Sequence, residues 1–273
     1  MKTQSDFVST IAVRRKSPVS PQDKLSDKRD QPHGKKVIAP DYRYLVLVPC
    51  HGVYVGTERR HAYTPDYWIS KFRNEGEFYT EHLMAGLKEA AQGQQYMFMP
   101  SGGMTMWAAG PVSEGESYWF LADQFNWGTD SSIRNRTFPE TFARDSFENL
   151  LFSIARYVKL VGEMPKDIII CGWAFKKERY AIYADALRLR NGQMHYLEVN
   201  MPIGKEDDLK TPRGLALAGE RNALSELAIS PVGNTPAMNA KREARDPFHM
   251  SQDIYAYYKV NRMFPHLAHL LRK

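Results

Sequence analysis

A chain of 273 residues with 43% hydrophobic and 12% aromatic residues is long enough for one large apolar core or two small ones, and its composition is that of a soluble globular protein. No apolar run approaches the ~20 residues of a membrane helix, so we predict no membrane contact. The net charge is +6, but most of the excess lies in residues 1–36, whereas a nucleic-acid-binding surface should lie on the folded body. We therefore predict no nucleic-acid partner.

Residues 1–38 are rich in Lys, Ser, Pro and Asp and contain few apolar groups, which predicts a disordered basic arm. Because the first residues contain no apolar segment of the kind found in a secretory signal, we predict a cytoplasmic protein. Cys50 and Cys171 each close an apolar run, which favours buried, reduced thiols over a disulfide or a zinc site.

The first body segment begins with a continuous apolar run at residues 44–50, typical of a central parallel strand that is covered on both faces. Residues 53–74 are mixed in character and predict an irregular loop followed by a short amphipathic helix. Residues 77–92 place apolar side chains at helical spacing, so we predict a helix there.

The most informative stretch runs from residue 96 to residue 117. Residues 96–99 predict a buried strand, and Pro100-Ser101-Gly102-Gly103 predicts a sharp turn after it. The spacing Ser113-x-x-Glu116 is that of a capping box and indicates a helix start. Strand, glycine turn and helix make half of a βαβ unit, in which glycines allow backbone N–H groups to approach a ligand.

Strand and helix patterns continue to alternate after this unit. We predict a short third strand at residues 137–143, a helix at 145–161 with Asp145 as its N-cap, and a fourth strand at 167–171. A helix at 176–189 and a fifth strand at 194–199 follow. The alternation predicts a doubly wound, mostly parallel, Rossmann-like α/β sheet over residues 39–202.

The last part of the chain, residues 203–273, has a different pattern. Thr211-Pro212 is a helix start signal, residues 230–250 predict a loop, and residues 251–263 predict a final helix that Pro265 ends or kinks. We expect a C-terminal helical extension that packs on the same domain.

Ligands of open α/β sheets bind outside the carboxyl ends of the strands, so the residues that follow each predicted strand form a candidate site. His51, Glu114 and Glu140 are the candidates for proton transfer. The other candidates would contact the ligand through backbone groups, hydroxyls or positive charge. They are Gly52, Ser101, Gly102, Gly103, Arg144, Asp145, Ser146, Asn149, Lys176 and Arg179.

Other kinds of site fit the sequence less well. Neither glycine-rich nucleotide fingerprint is present. His51, Ser101 and Glu140 suggest a hydrolase triad, but Ser101 lacks the G-x-S-x-G elbow, so a Ser/His hydrolase remains a minor alternative. Glu114, Glu140 and Asp145 could bind a divalent cation, yet capping and helix-dipole roles explain two of them, and we predict no metal.

The motif Glu140-x-x-x-Arg144-Asp145-Ser146-x-Glu148-Asn149 resembles the signature of the SanA/YdcF-like family, a domain of unknown function. Ser101-Gly102-Gly103, Ser113-Glu114 and residues 175–179 are similar to further motifs of that family, in the same order over residues 44–200. The sequence departs from the family where His51 replaces a glycine, Ala143 a serine and Lys176 a histidine. With its long C-terminal addition, the chain resembles a eukaryotic or fungal branch of the family.

The resemblance implies a Rossmann-like sheet. Because a bacterial member is associated with S-adenosylmethionine binding, it also implies this cofactor as a candidate, with Glu140 or Asp145 on the ribose hydroxyls. We expect a small-molecule-binding protein, and more specifically an enzyme that acts on an anionic or nucleotide-like metabolite. The alternatives are a non-catalytic ligand sensor and a protein-interaction module that uses the basic arm and the C-terminal helices.

Overall fold

The computed structural model of the chain describes residues 41–72, 74–251 and 253–268. The arm predicted at residues 1–38 lies outside the described residues. Six strands are β1 Tyr44–Pro49, β2 Gly52–Tyr54, β3 Trp68–Ser70, β4 Tyr96–Ser101, β5 Asp167–Trp173 and β6 Met194–Asn200. The α-helices are α1 Gly76–Ala90, α2 Glu114–Gln124, α3 Ser146–Val161, α4 Lys177–Ala186, α5 Pro212–Ile229, α6 Pro236–Ala244, α7 Ile254–Tyr257 and α8 Val260–Met263.

Four of the strands form a parallel sheet in the order β4-β1-β5-β6. Leu45 of β1 pairs with Met97 on one side and with Ile168 on the other. The chain winds outward from β1 to β4 in one direction and through β5 to β6 in the other. The predicted α/β fold with a doubly wound, Rossmann-like sheet is therefore confirmed, and the order of strands reverses between β1 and β5.

Both faces of the sheet are covered by helices, which explains why β1 is apolar at consecutive positions. Leu45 and Leu47 lie in one apolar cluster with α3 and α4. Val46 and Val48 point the other way, into a second cluster with α1 and α2. A strand buried on both faces has no solvent side on which polar residues could alternate.

Residues 137–140 run beside β4 and meet it in two isolated bridges, so the third strand predicted at residues 137–143 is wrong. The N–H of Glu140 donates to the carbonyl of Pro100 at 2.9 Å. Pro100 has no N–H with which to donate in turn to the carbonyl of Phe138. The ladder is interrupted there, but the segment still brings Glu140 to the carboxyl edge of the sheet.

The strand β4 extends to Ser101, two residues beyond the predicted strand, so Pro100 and Ser101 belong to the strand and not to the turn. Residues 53–74, predicted as a loop with a short helix, contain the antiparallel pairing of β2 with β3. A three-residue strand is too short for its alternation to be read from sequence.

The C-terminal region differs from its prediction in two places. Residues 230–250 contain α6, which begins at Thr235-Pro236 with the same signal that starts α5. The predicted final helix is divided into α7 and α8 because Lys259 adopts a left-handed conformation, with φ of 54°. Side chains of this region, including Tyr258 and Leu267, are buried in the cluster around α3.

No helix within the described ranges is both long and apolar enough to cross a bilayer.

Candidate functional site

A cavity of about 650 Å³ lies at the carboxyl ends of β1 and β5, where the order of strands reverses. Its walls come from the segment after β1, the end of β3, the loop between β4 and α2, the start of α3 and the turn after β5. Helices α5 and α6 close another side. This is the position at which open α/β sheets bind ligands.

The cavity brings together eight of the thirteen predicted site residues and leaves five outside its lining. The eight are His51, Glu114, Arg144, Asp145, Ser146, Asn149, Lys176 and Arg179. The five are Gly52, Ser101, Gly102, Gly103 and Glu140.

The two glycines after β4 serve the protein's own packing. The N–H of Gly102 donates to the carbonyl of Glu140 at 3.0 Å, and the N–H of Gly103 donates to that of Ala143 at 2.7 Å. A Cβ atom on Gly102 would lie 2.8 Å from the Cβ of Glu114. Glycine is needed here because two backbone segments pass close to each other, and neither N–H is free for a ligand.

Gly52 has a similar packing role. It is buried in β2, where an added Cβ would lie 2.8 Å from the Cβ of Ser70 on β3.

Behind the cavity wall, Glu140 is fully buried, and its carboxyl oxygens accept hydrogen bonds from the N–H groups of Phe142 (2.7 Å) and Ala143 (3.2 Å). Burial raises the pKa of Glu140 to about 7, against the opposing hydrogen bond from Ser101. The Ser101 hydroxyl lies 2.7 Å from Glu140 Oε2 and 3.0 Å from Asn149 Oδ1. A hydroxyl has one proton, so Ser101 donates to one of these two oxygens at a time.

This network separates Ser101 from the other predicted members of a hydrolase triad. The hydroxyl is occupied by Glu140 and Asn149, and Ser101 has no exposed surface. The Nε2 atom of His51 has no hydrogen-bond partner among the residues that the structure describes. The Ser–His hydrogen bond that activates a serine nucleophile is therefore not formed between them.

Two of the arginines in the wall are neutralised by carboxylates of the protein. Arg144 donates to both carboxylate oxygens of Glu148, with Nε at 2.9 Å and Nη2 at 2.6 Å. Arg179 forms an equivalent bidentate ion pair with Glu220 of α5 and also donates to Ser146 Oγ at 3.3 Å. Both arginines are almost completely buried, as bidentate pairs of this kind require.

Asp145 joins the C-terminal region to the site. Its Oδ1 accepts from the N–H of Glu148 and caps α3, as the sequence predicted, while its Oδ2 accepts from Arg242 Nε at 2.7 Å. Arg242 also donates to the carbonyls of Val232 and Gly233. The capping carboxylate of one helix therefore holds α6 in place.

Apart from the exposed Lys71, three cations of the wall have no carboxylate partner in the described part of the chain: Lys176, Lys241 and Arg245. Burial, followed by the nearby charge of Arg179, lowers the pKa of Lys176 to about 7, although Glu220 opposes the change. Burial and the charge of Arg245 lower the pKa of Lys241 to about 8. Like charges are therefore close together on a partly buried wall.

His51 follows β1 and has an aromatic environment formed by Tyr79, His82 and Trp173, with ring centroids 5.6 to 6.2 Å away. Burial, and after it the charge of Lys176, holds the pKa of His51 well below its usual value. The imidazole is thus neutral and can accept a proton from a bound molecule.

Two carboxyl groups face the same cavity. Glu114, the first residue of α2, accepts a hydrogen bond from the Thr105 hydroxyl, and Glu75 accepts one from the Tyr79 hydroxyl at 2.8 Å. Burial is the main cause that raises the pKa of each carboxyl. A raised pKa makes each carboxyl a better proton donor and acceptor than an exposed glutamate.

Sequence reasoning missed Glu75, Lys241 and Arg245. Lys241 lies on α6 and Arg245 is the residue that follows its last turn, and the Thr235-Pro236 signal could have revealed that helix. Glu75 precedes α1, at the end of a segment that was interpreted as irregular. Within residues 41–72, 74–251 and 253–268, no group of three or more His, Cys, Asp or Glu side chains could hold a metal ion.

The chain resembles the uncharacterized protein YOR238W of Saccharomyces cerevisiae. The two are 23% identical over 253 residues, which covers 75% of this chain and 84% of the yeast protein. No family model matches the chain, and no solved structure matches it.

Proposed function

We propose that the protein is an enzyme that binds a small anionic metabolite in the cavity at the carboxyl edge of its sheet. The observation that carries the proposal is the set of cations without carboxylate partners, Lys176, Lys241 and Arg245, on the cavity wall. The two buried arginines of that wall, Arg144 and Arg179, each have a carboxylate partner. An anionic ligand would supply the missing negative charge.

In this proposal the proton-transfer groups are His51 and Glu114. His51 is neutral and has an unpartnered buried nitrogen, so it would act as the base. Glu114 has a raised pKa and would act as the acid or share the proton. Two groups of different basicity in one cavity can move a proton on and off the same ligand.

We also propose that the chain belongs with the SanA/YdcF-like proteins, on the strength of the motif around Glu140 and Arg144. S-adenosylmethionine remains a candidate ligand on the same ground. Its amino-acid carboxylate suits the cationic wall, but its sulfonium would be repelled by Lys176 and Lys241. We propose a cytoplasmic location, supported by the two buried, unpaired cysteines, Cys50 and Cys171.

A thermal-shift screen of the full chain tests the binding part of the proposal. The panel contains S-adenosylmethionine, its demethylated product, nucleotides, sugar phosphates, carboxylic acids and divalent metals. A ligand at a hundred times its Kd should stabilise the protein by about 2.7 kcal/mol. We expect anionic compounds to raise the Tm of the wild type and of Lys177→Met, and to lose most of that effect in Lys176→Met.

Lys177→Met is the matched control because Lys177 is adjacent in sequence but exposed and paired with Glu198. A screen in which anions give no shift, or shift both lysine variants equally, would contradict the proposed binding site. Each ligand that binds is then incubated with the protein and followed by NMR for product. Binding without product from any of them would favour the alternative of a non-catalytic sensor.

A further inference from the structure

We propose that the anionic part of the ligand is a doubly charged phosphate group, held by Lys176, Lys241 and Arg245. The inference rests on the proposed function of the cavity and narrows it to a substrate class. The two sources of such a group are inorganic phosphate and a phosphate monoester of a small metabolite. Both present three or four oxygen acceptors and about two negative charges at neutral pH.

The balance of charge in the wall favours a dianion over a single carboxylate. Arg144 and Arg179 already have bidentate carboxylate partners, Glu148 and Glu220, and Arg144 also lies 3.9 Å from Asp246. Three cations remain, with Lys71 as a fourth, exposed one at the rim. One carboxylate would leave most of this charge unbalanced, whereas a phosphate matches it more closely.

The other acidic groups of the cavity do not neutralise the excess of positive charge on its wall. Glu114 and Glu75 line the same space but hydrogen-bond to hydroxyls, and burial favours their neutral forms. Asp145 is paired with Arg242. The free positive charge of the wall is thus larger than the free negative charge.

The three cations are fixed by two separate elements. Lys241 lies on α6 and Arg245, four residues later, directly follows its end, and their like charges repel each other. Arg245 donates through Nη1 to the carbonyl of Arg144 at 2.9 Å, and Arg242 holds the helix to Asp145. Lys176 comes from the short 3-10 turn Ala174–Lys176 after β5. The hydrogen bond of Arg245 and the ion pair of Arg242 therefore hold the end of α6 in place against the repulsion between the cations.

Isothermal titration calorimetry of the full chain at pH 6.5 tests the inference. The probes are inorganic phosphate, ribose 5-phosphate, sulfate and acetate. We expect ribose 5-phosphate, sulfate and the dianionic fraction of phosphate to bind at least about tenfold more tightly than acetate. The double variant Lys241→Met/Arg245→Met should weaken phosphate binding about a hundredfold, while Lys177→Met leaves it unchanged. At position 241 alone, Lys241→Met should weaken phosphate binding, whereas Lys241→Arg should keep most of the affinity because it keeps the positive charge.

The same titrations distinguish a site for inorganic phosphate from a site for a phosphate monoester. Ribose 5-phosphate binding at least about tenfold more tightly than phosphate would identify a monoester site, and equal affinities would identify a site for phosphate itself. Acetate binding as tightly as phosphate would overturn the phosphate inference and leave the proposed function standing. No binding of any probe to folded protein, as judged by its thermal transition, would overturn both.

Discussion

The affinity of the cavity for a dianion should fall steeply as the pH rises from 6 to 9. In the free protein the pKa of Lys176 is about 7 and that of Lys241 about 8, against an ordinary value of 10.5. A bound anion favours the protonated amines and raises both pKa values, so binding takes up protons above pH 7. Sulfate is the suitable probe because it stays doubly charged throughout this range, whereas phosphate changes its own charge.

The size of the effect follows from the two pKa values. At pH 9 the solution is about two pH units above the pKa of Lys176 and about one above that of Lys241, and both amines must be protonated when the anion binds. Together these protonation costs weaken binding by up to about a thousandfold, or about 4 kcal/mol, relative to pH 6. Burial lowers the pKa of Arg179, but the charge and hydrogen bonds of Glu220 outweigh it and raise the pKa overall, so the Arg179 guanidinium stays charged in this window. Ionisation of Glu114 or Glu75 as the pH rises would act in the same direction.

Calorimetric titration with sulfate at pH 6, 7, 8 and 9, in two buffers with different heats of ionisation, gives both the affinity and the number of protons taken up. Lys176→Met should remove about two of the three decades of pH dependence, and Lys177→Met should remove none. An affinity that is constant between pH 6 and 9, or a pH dependence that is as steep in Lys176→Met as in the wild type, would refute the assignment of these amines to the anion.

Three further outcomes are expected. Burial raises the pKa of Glu140 from 4.5 to about 7, so the wild type should lose about 3 kcal/mol of stability as the pH rises through this interval, and Glu140→Gln should not lose it. Urea unfolding at pH 5 and pH 8 measures the loss in both proteins. An equal loss in the variant would contradict the raised pKa of Glu140. Arg242→Ala breaks a buried ion pair with Asp145 and should cost about 3–5 kcal/mol by urea unfolding, while Arg60→Ala, at an exposed pair, should cost nothing measurable. An equal loss of unfolding free energy in the two variants would show that the buried pair stabilises the protein no more than the exposed one. For any ligand that the wild type turns over, His51→Gln should reduce turnover about 10²–10⁴-fold with an unchanged Kd, and undiminished turnover would remove His51 from the chemistry.

The sheet could be predicted from the sequence because its central strands are buried on both faces and read as continuous apolar runs. The helix starts at Ser113, Asp145 and Thr211 were also predictable, since capping is a local interaction between residues three positions apart. The third strand was predicted wrongly because its pairing depends on a proline in the neighbouring strand. Such a partner cannot be read from the segment itself.

The location of the candidate site was predictable, but the roles of its residues were not. Glycines after β4 indicated a close approach of backbone, yet the partner that approaches is the protein's own Glu114 and Ala143. Arg144 and Arg179 were expected to meet a ligand, but each is paired with a carboxylate. Which cations remain unpaired depends on contacts between distant segments, and these appear only in the folded chain.

The most direct test of the cationic cavity is a crystal structure of the full chain grown with tungstate, a doubly charged oxyanion that anomalous scattering locates without ambiguity. We expect one strong anomalous peak within hydrogen-bond distance of Lys176, Lys241 and Arg245. An empty cavity, with tungstate bound only at the outer surface, would contradict the claim that the cavity at the carboxyl edge of the sheet binds an anion.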